Sequence, residues 1–323
     1  MPRVRTGRRG AAHASGRLHA PPGRGRALPV RRPGRVRPHG VGRRIGDRAV
    51  STLPNVRTAR VTLPDGCPLH VERRGSGPPV LLLHAGAEDV TGWGPQADAL
   101  ASAGYEAIGY DRRGTGRSGR TGWPGDGAPG HARDAVALLA ALDLAEVIVL
   151  GVSSGAMVAL ELALRAPESV VRAHVHEPPA FRHVGSGTAE FERLDGTVRR
   201  ALAAAPGDHA GAYAALMEAV NGAGFVDRMD PARWAMEARN AEAFVRDDLP
   251  LIALRRFSRD ELVRLAPLVR LTAGAESPPF LRDAVDALRA AGGWTARVLP
   301  GQGHTPHLSD PEVFVGLLTG EDR

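Results

Sequence analysis

The stretch Val147-Ile148-Val149-Leu150-Gly151-Val152-Ser153-Ser154-Gly155-Ala156-Met157-Val158-Ala159-Leu160 decides how this chain is read. Its first four residues are apolar and mostly β-branched, as in a buried strand; the residues from Ala156 to Arg165 have the composition of a core helix. Between them stands Gly-x-Ser-x-Gly, residues 151–155. At a strand-to-helix junction this pattern makes a turn so sharp that the serine is held in a strained backbone conformation with its hydroxyl clear of the sheet. Glycine on either side leaves no Cβ to collide where strand and helix approach. With 40 glycines and 12 serines in 323 residues, random placement gives about 0.2 such matches. The flanking strand and helix are what give the pattern weight.

Working outward, residues 57–63 and 69–73 alternate polar and apolar around a Pro64-Asp65-Gly66 turn, which predicts a β-hairpin. Pro79–Leu83 is a continuous apolar run, the mark of a strand covered on both faces. A helix over 95–103, a strand over 106–110, a helix over 131–143 and a strand over 170–175 complete a repeated βα order. The rhythm stops at 181–262, which holds helical patches at 209–220 and 231–246 and no convincing strand. It resumes with a strand at 268–272, a helix at 278–291, a strand at 295–299 and a closing helix at 311–319. This order predicts an α/β fold with three layers and a mostly parallel sheet. Residues 56–180 and 263–323 form the core, and 181–262 form a helical lid.

Composition bounds the rest. The net charge of +7 is unevenly spread: residues 1–49 carry fourteen arginines and a single acid, Asp47, so the remainder of the chain is net acidic. There is no lysine anywhere, and with so much Gly, Ala and Pro this points to a coding bias rather than an arginine-specific function. Residues 1–50 have no apolar periodicity and are expected to be a disordered extension. A misassigned start, with translation beginning near Val50, is the preferred explanation; a transit peptide or a nonspecific nucleic-acid tail is the competing one. One cysteine, Cys67, allows no internal disulfide and fits a reducing, cytoplasmic location. No segment reads as a membrane span, and no metal cluster or phosphate loop is visible.

A serine nucleophile requires a base, a group that orients the base, and amides for the oxyanion. Gly301-Gln302-Gly303-His304 follows the last predicted strand, so His304 is the expected base, with His307 nearby and aimed elsewhere. The loop after the first parallel strand, His84-Ala85-Gly86-Ala87-Glu88, supplies a second amide. Gly86 N–H and Ser154 N–H are the expected oxyanion donors, and His84 braces the loop.

These motifs together, with Tyr110-Asp111-Arg112-Arg113-Gly114-Thr115-Gly116-Arg117-Ser118, resemble the α/β-hydrolase superfamily, in particular capped esterases and haloperoxidase-like serine hydrolases. The resemblance runs from about residue 56 to the end. It implies that Asp111 and its arginines brace loops. It implies a catalytic acid after the strand ending at Thr272, where Glu276 stands, with Glu177 at the end of the preceding strand as the alternative. It further implies cleavage of a small ester, lactone or related carbonyl substrate through an acyl-enzyme, with no cofactor. Relatives that attack with a carboxylate, the haloalkane dehalogenases and epoxide hydrolases, are excluded by Ser153. Ala85, where a glycine is usual, and glutamate in place of aspartate keep a second reading open, a ligand-binding protein without catalysis. A small-molecule substrate is the expected partner, with no specific nucleic acid; the oligomeric state is left open.

Overall fold

The packing face alternates along β3 (Pro79–Leu83): Val80 and Leu82 pack into one apolar cluster, Leu81 and Leu83 into another. Successive side chains of a strand point to opposite faces, so both faces here are covered. Each of these side chains contributes roughly 1.5–3 kcal/mol relative to an exposed position. In this computed structural model residues 55–185 and 187–320 are described. The expectation for residues 1–50 lies outside them.

The sheet has eight strands. They are β1 (Arg57–Thr62), β2 (Pro68–Gly75), β3, β4 (Glu106–Tyr110), β5 (Val147–Val152), β6 (Val170–His176), β7 (Val269–Gly274) and β8 (Ala296–Leu299), in the order β1-β2-β4-β3-β5-β6-β7-β8. The first hairpin is antiparallel, as is β2 on β4; every other pairing is parallel. One face carries α2 (Ala128–Ala141) and α3 (Ser154–Arg165), whose Leu138, Met157 and Leu162 enter the larger cluster. On the other face, Leu100 of α1 (Gly94–Ser102) and Phe314 of the closing α10 (Val313–Gly320) fill the smaller one. The result is a three-layer α/β fold. No described helix is long and apolar enough to cross a membrane.

Between β6 and β7 the chain is helical: α4 (Gly187–Ala204), α5 (His209–Asn221), α6 (Pro231–Ala243), a π-helical stretch Phe244–Ile252, and α7 (Arg259–Leu265). Local chemistry sets these boundaries. Asp208 and Asp230 cap α5 and α6 by accepting the N–H of Gly211 and Arg233, and Ser258 with Glu261 forms a capping box on α7. Phe191, Leu194, Tyr213, Leu216 and Leu249 give this insertion an apolar cluster of its own. Pro250 lies inside the π-helical stretch. A proline there offers no N–H to an α-helical ladder, which favours a wider turn.

The sequence reading did not name α4, the longest helix of the insertion. It also ended β7 two residues early, at Thr272. Ala273 and Gly274 remain in the sheet because they pair with Val298 and Leu299 of β8, and that difference matters at the site. The chain closes through α8 (Pro279–Gly292), a single turn α9 (Pro306–Ser309), and α10.

Candidate active site

Ser153 sits on the turn between β5 and α3 with φ +53° and ψ −121°. A non-glycine residue in this region costs on the order of 1–3 kcal/mol and persists only where its surroundings hold it. Here Ser153 N–H donates to His176 O at 2.9 Å, and its carbonyl accepts Ala156 N–H at 2.9 Å. The two glycines are required by backbone, not by side chains. A Cβ on Gly151 would stand 2.5 Å from Gly155 O, and one on Gly155 would stand 2.2 Å from Leu83 O. Ser154 opens α3, where the first amides have no carbonyl partner within the helix and carry its partial positive charge.

The carboxylate beside His304 belongs to Glu177. Its Oε2 accepts from His304 Nδ1 at 2.7 Å, and its Oε1 accepts Gly274 N–H at 2.7 Å. The side chain is fully buried, and the residue is itself left-handed at φ +47°. Burial pushes its pKa up, but the hydrogen bond and charge of His304 and the nearby His176 outweigh that and hold it below the usual carboxylate value. Glu276, the acid preferred from sequence, is exposed, with its N–H on Gln302 O. The structure brings the alternative acid to His304 and leaves the preferred one exposed. In the sheet β6 lies between β5 and β7, so the residue after His176 emerges beside Ser153, whereas Glu276 lies two residues past the end of β7 on the surface.

Three buried histidines brace this end of the sheet. His84 donates from Nδ1 to Ala85 O (2.8 Å) and accepts Arg112 N–H at Nε2 (3.0 Å), the bracing role expected for it. His176 lies under the His304 loop, donating from Nε2 to Gly303 O at 3.1 Å and meeting the Thr272 hydroxyl at 3.0 Å. His307 stacks on Trp93 and donates to Glu88 Oε2 at 3.0 Å, while that same oxygen accepts Ala85 N–H at 3.2 Å. His307 therefore anchors the Gly86 loop and is directed away from Ser153. Asp111 accepts Val90 N–H (2.8 Å) and Arg117 N–H (2.7 Å), tying loops together. The sequence reading missed His176, Glu88 and Asp248; His176 at a strand end was the one visible signal.

Burial lowers the pKa of His84 to about 3, with Arg112 adding to it, and that of His176 to about 4. Both are thus neutral when folded, yet take up a proton near pH 6.5 when unfolded. A lowered histidine pKa gives stability that is lost as pH falls below the unfolded value, by up to about 1.4 kcal/mol per pH unit for each group. Thermal unfolding midpoints are expected to be level above pH 7 and to fall steadily from pH 6.5 towards pH 4. A midpoint unchanged between pH 7 and pH 5 would contradict this burial.

Ser153, Gly86, Glu276 and His304 all line one cavity of about 310 Å³ at the carboxyl ends of the strands. The insertion roofs it with Leu194, Leu216, Val220, Phe244 and Leu249, and adds Tyr213, Arg233, Glu237 and Asp248. Ligands of open α/β sheets bind at this end of the strands.

Sheet, elbow and this arrangement of loops define the α/β-hydrolase fold. A sequence profile described as alpha/beta hydrolase fold matches residues 78–219. The chain has the α/β-hydrolase fold, and the profile match spans somewhat under half of it. It is 40% identical over 114 residues to an uncharacterized hydrolase of Bacillus subtilis, a match covering 35% of this chain and 42% of that protein. The chain therefore spans less than half the length of that relative. A zearalenone hydrolase of Bionectria ochroleuca is 28% identical over 262 residues, or 79% of this chain and 93% of that one. Among solved structures, a hydrolase from Pseudomonas aeruginosa superposes with a TM-score of 0.64 at 21% identity, covering 81% of this chain and 97% of that one.

Proposed function

We propose that this protein is a serine hydrolase that cleaves a small ester, lactone or related carbonyl substrate, with Ser153 as nucleophile, His304 as base and Glu177 as the acid that orients it. The observation that carries this reading is the 2.7 Å contact of His304 with the buried Glu177, His304 sharing the lining of one cavity with Ser153. His304 Nδ1–H donates to the carboxylate, which leaves Nε2 as the acceptor for the serine proton. Ser153 Oγ attacks the carbonyl carbon, and the oxyanion rests on Gly86 and Ser154 N–H. His304 passes its proton to the leaving alkoxide. Water, deprotonated in turn by His304, then cleaves the acyl-enzyme and regenerates Ser153.

The cavity volume is at the low end for small-molecule sites, and its roof is mostly apolar, which favours short, apolar acyl or alcohol groups. Residues 181–262 serve as the lid that excludes water and chooses the substrate. The name of the Bionectria relative supports hydrolysis and puts zearalenone on the test panel. The test combines a fluorophosphonate probe with a panel of ethyl esters from acetate to hexanoate, simple lactones and zearalenone. Labelling of Ser153 and turnover of at least one carbonyl substrate are expected. No labelling together with no turnover would favour the non-catalytic, ligand-binding reading.

A further inference from the structure

A second cavity, of about 800 Å³, lies beside the active-site cavity. Phe225 and Arg233 line both, so they form the wall between the two. The inner cavity holds about 310 Å³, and the larger space is therefore the one beyond the wall. Pro95, Met229, Met236 and Leu308 line that outer space. Such a lining accepts an alkyl chain, and methionine adapts its shape to one.

The two wall residues are held differently. Arg233 Nε donates to the buried Glu237 at 2.7 Å, and the other oxygen of Glu237 accepts from Tyr213 Oη at 3.0 Å. Arg233 is thus tied into the insertion by an ion pair. Phe225 is half-buried, yet it enters none of the three apolar clusters of the described residues. What holds Phe225 is its backbone. It follows α5 on a turn with Gly222 at φ +92° and Gly224 at φ +71°, angles that glycine takes without strain. Val226 N–H donates to Glu218 Oε1 at 2.8 Å, and Arg228 Nη1 donates to Ala223 O at 3.1 Å. A tied turn therefore presents an aromatic residue between two cavities, with no share in the apolar clusters to account for it.

We infer that Phe225 is the length stop of the active-site cavity. With Phe225 in place the substrate ends at the wall; without it, an alkyl chain on the ester runs on into the outer cavity. This rests on the serine-hydrolase reading of Ser153. Phe225 meets the far end of the chain and not the reacting carbonyl, so it acts on the choice of substrate.

The test follows kcat/KM along p-nitrophenyl esters from acetate to decanoate, and along acetate esters from ethanol to decanol. Wild type is compared with Phe225→Ala, Phe225→Leu and Phe225→Trp. Wild type is expected to prefer chains no longer than hexanoate. Each methylene newly taken out of water is worth about fourfold, so Phe225→Ala is expected to raise the ratio of decanoate to butyrate, or of decyl to butyl acetate, by about 10- to 100-fold. Phe225→Leu is expected to fall between, and Phe225→Trp to lower the ratio below wild type. A shift in either series supports the stop and tells which side of the ester faces Phe225. A lid merely loosened by mutation would not move the optimum in opposite directions for Ala and Trp. A wild type that already prefers the longest chain overturns the stop, as does a ratio unchanged in Phe225→Ala, or a gain of equal factor on every chain length. If Phe225→Ala does not fold, the other two decide: Leu and Trp ratios that do not bracket the wild type overturn it. Fluorophosphonate labelling of Ser153 with an unmoved length profile fails the stop alone. No labelling and no turnover of any ester fails the hydrolase reading and this inference with it.

Discussion

Ser153→Ala is expected to lower kcat on any ester substrate by on the order of 10⁵- to 10⁶-fold and to abolish fluorophosphonate labelling, with little change in substrate affinity. Removing the nucleophile of a triad costs about as much as removing the whole triad, because its members act as a unit. The elbow carries two serines, so the neighbour must be considered as a substitute. Ser154 is unsuited to that role: its Oγ accepts from Arg112 at 3.2 Å, it is buried, and it belongs to the first turn of α3. Ser153, by contrast, occupies the left-handed turn that lifts its side chain off the sheet. Ser154→Ala leaves the backbone amide in place and is expected to retain labelling at Ser153. The measurement is intact-protein mass after probe treatment, with pre-steady-state release of a chromogenic alcohol. Labelling that persists in Ser153→Ala and disappears in Ser154→Ala would move the nucleophile by one residue.

The elbow was legible because every part of it depends on local sequence. Residues 147–150 are apolar and mostly β-branched, 156–165 favour helix, and the glycines stand where a Cβ would strike backbone. The placement of His304 was legible for a similar reason, since the Gly-Gln-Gly-His run directly follows the last strand. Asp248 was not. It lies 95 residues beyond Ser153 in sequence, on a segment whose π-helical winding has no clear periodic signature, and its burial depends on pairing with Arg112 from another layer. The choice of acid fell between these cases. It turned on whether β7 stops at Thr272 or Gly274, and strand ends are the least certain part of any reading from pattern. A strand two residues longer leaves Glu276 on the exposed rim of the cavity while Glu177 meets His304, and β8, distant in sequence, is what lengthens it.

Glu177→Gln is expected to lower kcat by about 10³- to 10⁴-fold, with KM little changed, whereas Glu276→Ala stays within about twofold of wild type. Glutamine has nearly the shape of glutamate, so packing is preserved and the loss is electronic. Gly274 N–H donates to Oε1 at 2.7 Å and needs an oxygen there. The amide oxygen of glutamine takes that place, which turns its NH₂ towards His304 Nδ1. A donor at that position forces Nδ1 to accept, and the imidazole proton moves to Nε2. Nε2 is the atom that must receive the serine proton, so the histidine is held in the unproductive tautomer. Glu177→Ala removes the orienting group without imposing the wrong tautomer, and it leaves Gly274 N–H unpaired. It is therefore expected to be less stable than Glu177→Gln yet no less active. Steady-state kinetics with thermal melts on the three variants separates these effects. Equal losses for Glu177→Gln and Glu276→Ala, or a loss confined to Glu276→Ala, would take Glu177 out of the triad, however well its carboxylate meets His304.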